Sequence, residues 1–553
     1  MTPSSNPGPR LSPDRSQPVQ WVILFLVCLP LLASVMLPLG WSGNEINYFD
    51  LAYAHVRPDL RSPDFAARDS SQGRVLSFTL IGRLIDALGF DAARLVLAFA
   101  LIVLLAAGYA WLALTLGLSI AEGALALGIY VLGPQSLLGG EWLFGGVEAK
   151  VLAYAAVLPG LALAWRGQAL QAALCLAFAT WFHFLVGAFW ALALLLLLAL
   201  GPHGLAKVWR AFLLWTFAIL PLVWLLLRER VGGPPVDMTG LDLSLGEIYA
   251  TFRNPHHVAP FISLSVFGHG WLSGILMSVV LAGLFGLSGW RAMVGSERRL
   301  AVWLCLMNLY LLVAMLLAFL DREAHRLAPL YLFRPAGLIF LISLMGGIHL
   351  LRRIAEPSAR GLTTVALVLS MTALATPLVL RVKRYVEAPR GLLLAELDLD
   401  ARALVAALQT ETPPDAVVLV QPEGAGTWSD AAIPRAALER LSNRATLVNY
   451  KFVPTLPSEL TRWYRLWKLR KAVFEGDCTA LARLPDSRPV THLVLEGPSA
   501  VGAVHACGRV IWQGGRFTLL NVARSWRPVS SHDLGRRATG VHAPEQPHQP
   551  GPP

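Results

Sequence analysis

Residues 139–150 read GGEWLFGGVEAK, and an apolar run, VLAYAAVLPGLALAW, follows directly. Twelve residues thus hold two glutamates, a lysine and four glycines at the mouth of a hydrophobic segment. Such apolar runs recur along the first two thirds of the 553-residue chain. The chain is 55% hydrophobic and 15% charged, whereas a soluble domain usually carries about 25% charged residues. Runs of about 20 apolar residues are what a bilayer's hydrocarbon thickness demands of a helix. The sequence therefore specifies an α-helical polytopic membrane protein with about eleven spans. They fall at roughly 20–40, 92–114, 119–136, 150–165, 168–182, 184–201, 208–228, 269–289, 300–320, 331–350 and 362–381.

Residues 1–20 form a Pro- and Ser-rich tail that is read as disordered and cytoplasmic. The multi-span domain covers 21–384, with a long first outer loop at 41–91. Within that loop, VLSFTLIGRLIDAL has helical apolar spacing and reads as an amphipathic helix on the membrane surface. From about residue 385 the pattern changes. DAVVLV, ATLVNY, THLVLE and RFTLLN read as short strands, and LDARALVAALQ and SELTRWYRLWKLRKAV as helices. Residues 385–528 are thus expected to form a small α/β domain, and 529–553 a disordered tail.

The net charge of +11 does not point to nucleic acid, because many basic residues flank apolar runs. Arg10, Arg15, Lys207, Arg210, Arg291, Arg298, Arg299, Arg352, Arg353 and Arg360 share one side under eleven spans. That side is then cytoplasmic, which puts the C-terminal domain in the periplasm of a bacterial inner membrane. Cys478 and Cys507 lie in that domain, where an oxidising compartment permits a disulfide; two separate buried thiols are the alternative.

Polar residues from five loops gather on the outer side under this topology. They are Glu45 and Asp50; Glu141, Glu148 and Lys150; His183; Arg253, His256 and His257 in FRNPHHVAP; and Asp321, Arg322, His325, Arg326 and Arg334 in DREAHRLAPLYLFRP. Ionisable groups near membrane depth are costly and mark substrate paths. Each has a plainer reading too. Glu148 and Lys150 can be a surface ion pair, His183 a helix-end hydrogen-bonding residue, and Asp321 with Arg322 an interface anchor.

The layout resembles the GT-C superfamily of membrane glycosyltransferases. Its carriers are the acidic residue just after the first span, the amphipathic helix behind it, the multi-span body and the C-terminal outer domain. The paired-acid motif of many members is absent, and NEINYFD supplies Glu45 and Asp50 at a different spacing. GGVEAKVLAY, FHFLVG, FRNPHHVAP and TPPDAVVLVQP also resemble stretches of a group of uncharacterised bacterial multi-span membrane proteins. The GT-C resemblance implies a polyprenyl-phosphate sugar donor in the outer leaflet and an acceptor activated on the outer side. It makes Glu45 the first candidate base, followed by Asp50 and Glu148. The leaving phosphate needs fixed cations, for which Lys150, Arg253, Arg322, Arg326 and Arg334 are candidates. His183, His256, His257 and His325 complete the expected substrate-binding set, together with membrane lipids as surroundings. No cofactor is called for; a divalent metal shared by carboxylates and phosphate is compatible but no spacing requires it. The competing readings are a transporter or flippase for an anionic lipid-linked substrate, and a non-catalytic envelope assembly protein. No internal repeat supports the first, and eleven spans exceed what anchoring needs.

Overall fold

The computed structural model describes residues 17–37, 41, 43–57, 72–201, 204–232, 235–291, 295–354, 379, 397–422, 437–448, 454, 456–484, 489–497 and 504–523. These described residues fall into two compact units, the first up to residue 396 together with 454–462 and the second made of the rest from 397 onward.

The first unit is helical. Ten of the expected spans each lie on a helix: α1 (Gln17–Met36), α4 (Phe90–Thr115), α5 (Ile120–Leu132), α6 (Ala149–Trp165), α7 (Ala169–Phe182), α8 (Phe184–Ala199), α9 (Gly204–Val231), α11 (Leu272–Arg291), α12 (Gly295–Leu320) and α13 (Ala336–Ile354). The eleventh, 362–381, falls outside the described residues except for residue 379. Five of the ten are long and apolar enough to cross a bilayer outright, on α1, α4, α9, α11 and α12; the others are shorter apolar helices. The protein is a multi-pass membrane protein. Helix α9 shows why: Trp209, Phe217 and Trp224 are each more than half exposed on it. Apolar surface of this extent is stable against lipid tails, not water.

Helix α6, by contrast, is buried on nearly all sides. Small residues let its neighbours approach. A Cβ added at Gly160 of α6 would stand 2.3 Å from the Leu176 side chain of α7. Such close approach is how helices associate where hydrophobic driving force is absent.

Among the described residues, the segment expected to be the first outer loop holds two helices. The expected amphipathic helix is α3 (Val75–Leu88), and it buries Ser77, Phe78, Ile81, Gly82 and Ile85 along one face. It packs on α2 (Gly43–Val56), whose polar mixture hides its helical period. Between α9 and α11 the chain makes one π-helical turn, Ile248–Arg253, a four-residue helical turn, Pro255–Val258, and the short helix α10 (Leu264–Gly270).

The second unit is a five-stranded mixed sheet in the order β2-β1-β3-β5-β4. Its strands are β1 (Val417–Val420), β2 (Ala445–Thr446), β3 (His492–Glu496), β4 (Gly508–Gly514) and β5 (Phe517–Val522). The β2-β1-β3 part is parallel and the β3-β5-β4 part antiparallel. Strand β4 joins the four expected ones. Helix α14 (Leu399–Glu411) starts at Asp398, whose carboxylate accepts from Ala401 N at 2.8 Å, a standard N-cap. Arg470 is buried yet satisfied: Nε donates to Val420 O and Nη1 to Val448 O, both at 2.7 Å. Cys478 and Cys507 are joined by a disulfide.

Candidate active site

The opening stretch of sequence is the centre of the site. Residues 133–148 connect α5 to α6 and are pinned from within. Tyr130 OH donates to Gln135 O at 2.6 Å, and the Gln135 side chain accepts from Phe144 N at 3.0 Å. Gly139 sits at φ 71°, where a side chain is strained. A Cβ there would also meet the Phe333 side chain at 2.9 Å and His257 O at 3.3 Å. Glycine at 139 therefore lets three remote segments close on one another.

Glu45, on the first turn of α2, is completely buried. Its carboxylate pairs with Arg94 of α4 at 3.2 Å and accepts Val147 N at 2.9 Å. The 146–147 backbone lies against it so closely that a Cβ on Gly146 would stand 2.8 Å from Glu45 Cδ. Glu45 thus ties α2, α4 and the 133–148 connection together.

Glu141 gathers the cations. Its Oε2 accepts from Arg334 Nη1 at 2.9 Å and lies 3.6 Å from Lys150 Nζ. Its Oε1 lies 3.4 Å from His257 Nδ1. Burial pushes the Glu141 carboxyl up, but Arg334, Lys150 and His257 together outweigh it and hold it below the usual range. His257 Nδ1 is 2.7 Å from Gly139 O, and a carbonyl can only accept, so Nδ1 carries a proton. Burial, opposed by Glu141, keeps His257 neutral down to a pKa of about 3.

Glu148 stands at the N-cap position of α6, 2% exposed, with Lys150 Nζ 3.5 Å from its Oε2. Here burial dominates. It raises the carboxyl above its usual range despite the opposing pull of Lys150 and Asn44. Two neighbouring carboxylates are thus driven in opposite directions, the pattern that separates an electrostatic holder from a proton acceptor. Lys150 Nζ also lies 3.8 Å over the Trp142 ring.

The remaining wall is aromatic and basic. Arg334 stacks 4.2 Å from the Tyr331 ring, and Tyr331 is held at φ 46° and ψ 57°, a conformation rare for an aromatic residue. Tyr249, in the π-helical turn, meets Tyr331 edge-on at 6.0 Å. A π turn is frequent where a side chain must be re-aimed at a functional site. Arg74, just before α3, lies 5.3 Å from the Tyr48 ring. Tyr48 in turn feels Arg74, Glu148, Arg334 and Tyr331. His183 is buried and lies within the field of Arg74, Arg334 and Lys150.

The expected site residues therefore divide. Glu148, Lys150, His257 and Arg334 come together around Glu141. His183 faces the same charges. Glu45 and Asp50 are buried on α2. His256 is exposed and rests 4.0 Å from the His257 ring, and Arg253 is half-buried at the end of the π turn. Among the described residues no group of three or more His, Cys, Asp and Glu is arranged to hold a metal. Arg322 and Arg326 are exposed and stand outside the cluster, Arg322 on the Phe319 ring and beside Glu323. His325 is half-buried at φ 50°. Arg74, Tyr48, Tyr249 and Tyr331 belong to the cluster and were not singled out by sequence. Their only signal was position, since each lies in or beside a loop that already carried candidates.

No protein-family model and no curated protein sequence matches the chain. Among solved structures it is similar to the arabinofuranosyltransferase AftD from Mycobacteria, at 17% identity and a TM-score of 0.49. That alignment covers 93% of this chain and 40% of AftD, so the chain spans about two fifths of that protein's length. It is also similar to ArnT from Cupriavidus metallidurans in the apo state, at 13% identity over 93% of this chain and 100% of ArnT, TM-score 0.37. The structure of ArnT bound to undecaprenyl phosphate gives 13% identity over 92% and 99%, TM-score 0.37.

Proposed function

We propose that the protein is an integral-membrane glycosyltransferase that moves a sugar from a polyprenyl-phosphate donor to an acceptor at the outer face of a bacterial inner membrane. One observation carries this reading: a buried carboxylate with a raised pKa, Glu148, lies beside Lys150 and within the field of Arg334, and the fields of Lys150, Arg334 and Arg74 meet at the neighbouring His183. Three cations face two carboxylates, so the site is left with positive charge that an anionic ligand neutralises. A lipid phosphate supplies that charge and is already at the membrane. The layout resemblance read from the sequence points to the same donor class.

The chemistry follows from the split between the carboxylates. Glu148 takes the proton of the acceptor hydroxyl as its oxygen attacks the anomeric carbon. The bond from that carbon to the donor phosphate breaks, and Arg74, Lys150 and Arg334 neutralise the charge on the departing phosphate. Glu141 holds Lys150 and Arg334 in place. Glu45 is a positioning residue, because its oxygens already hold Arg94 and Val147 N. The Cys478–Cys507 disulfide supports an oxidising compartment for the C-terminal unit.

The test is donor turnover by the purified protein in lipid, with a panel of labelled polyprenyl-phosphate sugars. Release of polyprenyl phosphate is expected from the parent, and Glu148→Gln should slow it by about a hundredfold or more. A folded parent that turns over no donor on the panel refutes the transferase. Movement of intact donor across the bilayer, undiminished in Glu148→Gln, would establish the flippase instead.

A further inference from the structure

His183 alone separates α7 from α8, in an extended conformation with φ −153° and ψ 104°. Its Nδ1 accepts the backbone N–H of Val186 at 3.4 Å and so caps α8. A nitrogen that accepts carries no proton, so in the neutral ring the proton is on Nε2. That Nε2–H has no hydrogen-bond partner among the described residues, and the residue is only 3% exposed. A buried N–H donor without an acceptor is costly and calls for an explanation.

The surroundings supply one. The charged groups whose fields reach the ring, Arg74, Arg334 and Lys150, are all donors and none can accept from it. Burial, and after it the three neighbouring positive charges, hold the ring's pKa well below the usual histidine range, so the ring stays neutral. The carbonyl of the preceding residue, Phe182, already accepts from Ser77 Oγ at 2.8 Å and makes no bond to the ring among the described residues. Helices α7 and α8 cross so tightly here that a Cβ on Gly187 would stand 2.2 Å from Thr180 N. A neutral donor thus lacks an acceptor where the fields of three cations meet.

We propose that His183 is a ligand-contacting residue that donates from Nε2 to an oxygen of the phosphate held by Arg74, Lys150 and Arg334. This rests on the reading of the cluster as a lipid-phosphate site, and it adds a neutral donor to that site. The division of labour is chemical. The cations supply charge, whereas His183 supplies direction, and its proton stays on the ring because the helix cap holds the other nitrogen.

Two substitutions separate its two nitrogens. In His183→Asn the short amide keeps the cap on Val186 N but cannot reach the Nε2 position. In His183→Gln the longer amide places a donor near Nε2 and gives up the cap. The probe is a polyprenyl phosphate titrated against the full-length protein in lipid nanodiscs, with the matching polyprenol as control, and thermal stability is measured in parallel. We expect the parent to prefer the phosphate. His183→Asn should bind it about ten- to a hundredfold more weakly at unchanged stability, the loss of one hydrogen bond to a charged group. His183→Gln should keep most of the affinity while melting earlier. Parent-like binding by His183→Asn overturns the role of His183 and leaves the phosphate site standing. Affinity that follows stability in both variants overturns it as well, showing a cap and nothing more. A parent that does not distinguish phosphate from polyprenol overturns the phosphate site itself, and this inference with it.

Discussion

The Glu141–Arg334 pair allows a quantitative test of the cluster. Both groups are nearly buried, and their atoms meet at 2.9 Å; Lys150 lies at 3.6 Å from the same oxygen. With an effective dielectric of about 20, these separations correspond to gross attractions of about 6 and about 5 kcal/mol. Desolvation of the three ions opposes much of this, so the net worth of the pair is far smaller than its Coulomb energy. Removing one partner is a different matter, because it strands the other. Glu141→Gln and Arg334→Met should each destabilise the protein by about 3–5 kcal/mol. The double variant strands less, since Lys150 keeps Glu148 at 3.5 Å. Its cost should fall short of the sum by about 2–3 kcal/mol. The assay is equilibrium unfolding of all four proteins in one mixed-micelle system. Additivity within about 0.5 kcal/mol would falsify the idea that Glu141 and Arg334 act as one unit.

Further outcomes follow from the same geometry. Because Glu148 acts deprotonated and burial raises its pKa, kcat/KM should climb with pH along a limb above the ordinary glutamate value of about 4.3. Lys150→Met removes a cation that opposes the burial effect, so it should move that limb higher; a limb moved lower in the pH–rate profile refutes the assignment. Glu45→Gln leaves Arg94 without its counter-charge and should cost about 3–5 kcal/mol of stability and lower kcat. The same pH–rate measurement should find its limb unmoved, whereas a lost limb would make Glu45 the base. The Cys478–Cys507 bridge spans 29 residues of sequence, and reducing it should destabilise the chain by about 3–4 kcal/mol on loop entropy. Alkylation before and after reduction checks the pairing, and ready labelling of both thiols in the unreduced protein would refute it.

Much of the fold was legible because lipid imposes a single demand on sequence, a long run of apolar residues, and ten helices answer it. The strands at 417–420, 492–496 and 517–522 were legible for the related reason that buried strands concentrate Val, Leu and Phe. Helix α2 was not, since Asn44, Glu45, Asn47 and Asp50 interrupt its apolar period. Strand β4 was missed because it begins and ends on glycine and carries a register shift between Val510 and Trp512. The loops of the site were legible as places where ionisable residues gather. Their pairings were not: Glu45 finds Arg94 49 positions away, and Glu141 finds Arg334 193 positions away. No local period records a contact of that range.

That difference underlies the proposed roles. By sequence Glu45 and Glu148 are equivalent, each a glutamate where a loop meets a helix, and the family layout favours Glu45. Environment separates them. Glu45 faces a guanidinium and a backbone N–H, both of which occupy its oxygens. Among the described residues Glu148 has no cation closer than the Lys150 ammonium at 3.5 Å, and burial raises its carboxyl pKa above the usual range. The two are nonetheless one device. Glu45 accepts the N–H of Val147, the residue next to Glu148, so under the proposed roles this brace sets the direction from which Glu148 would meet an acceptor hydroxyl, one carboxylate shaping the backbone beneath the other.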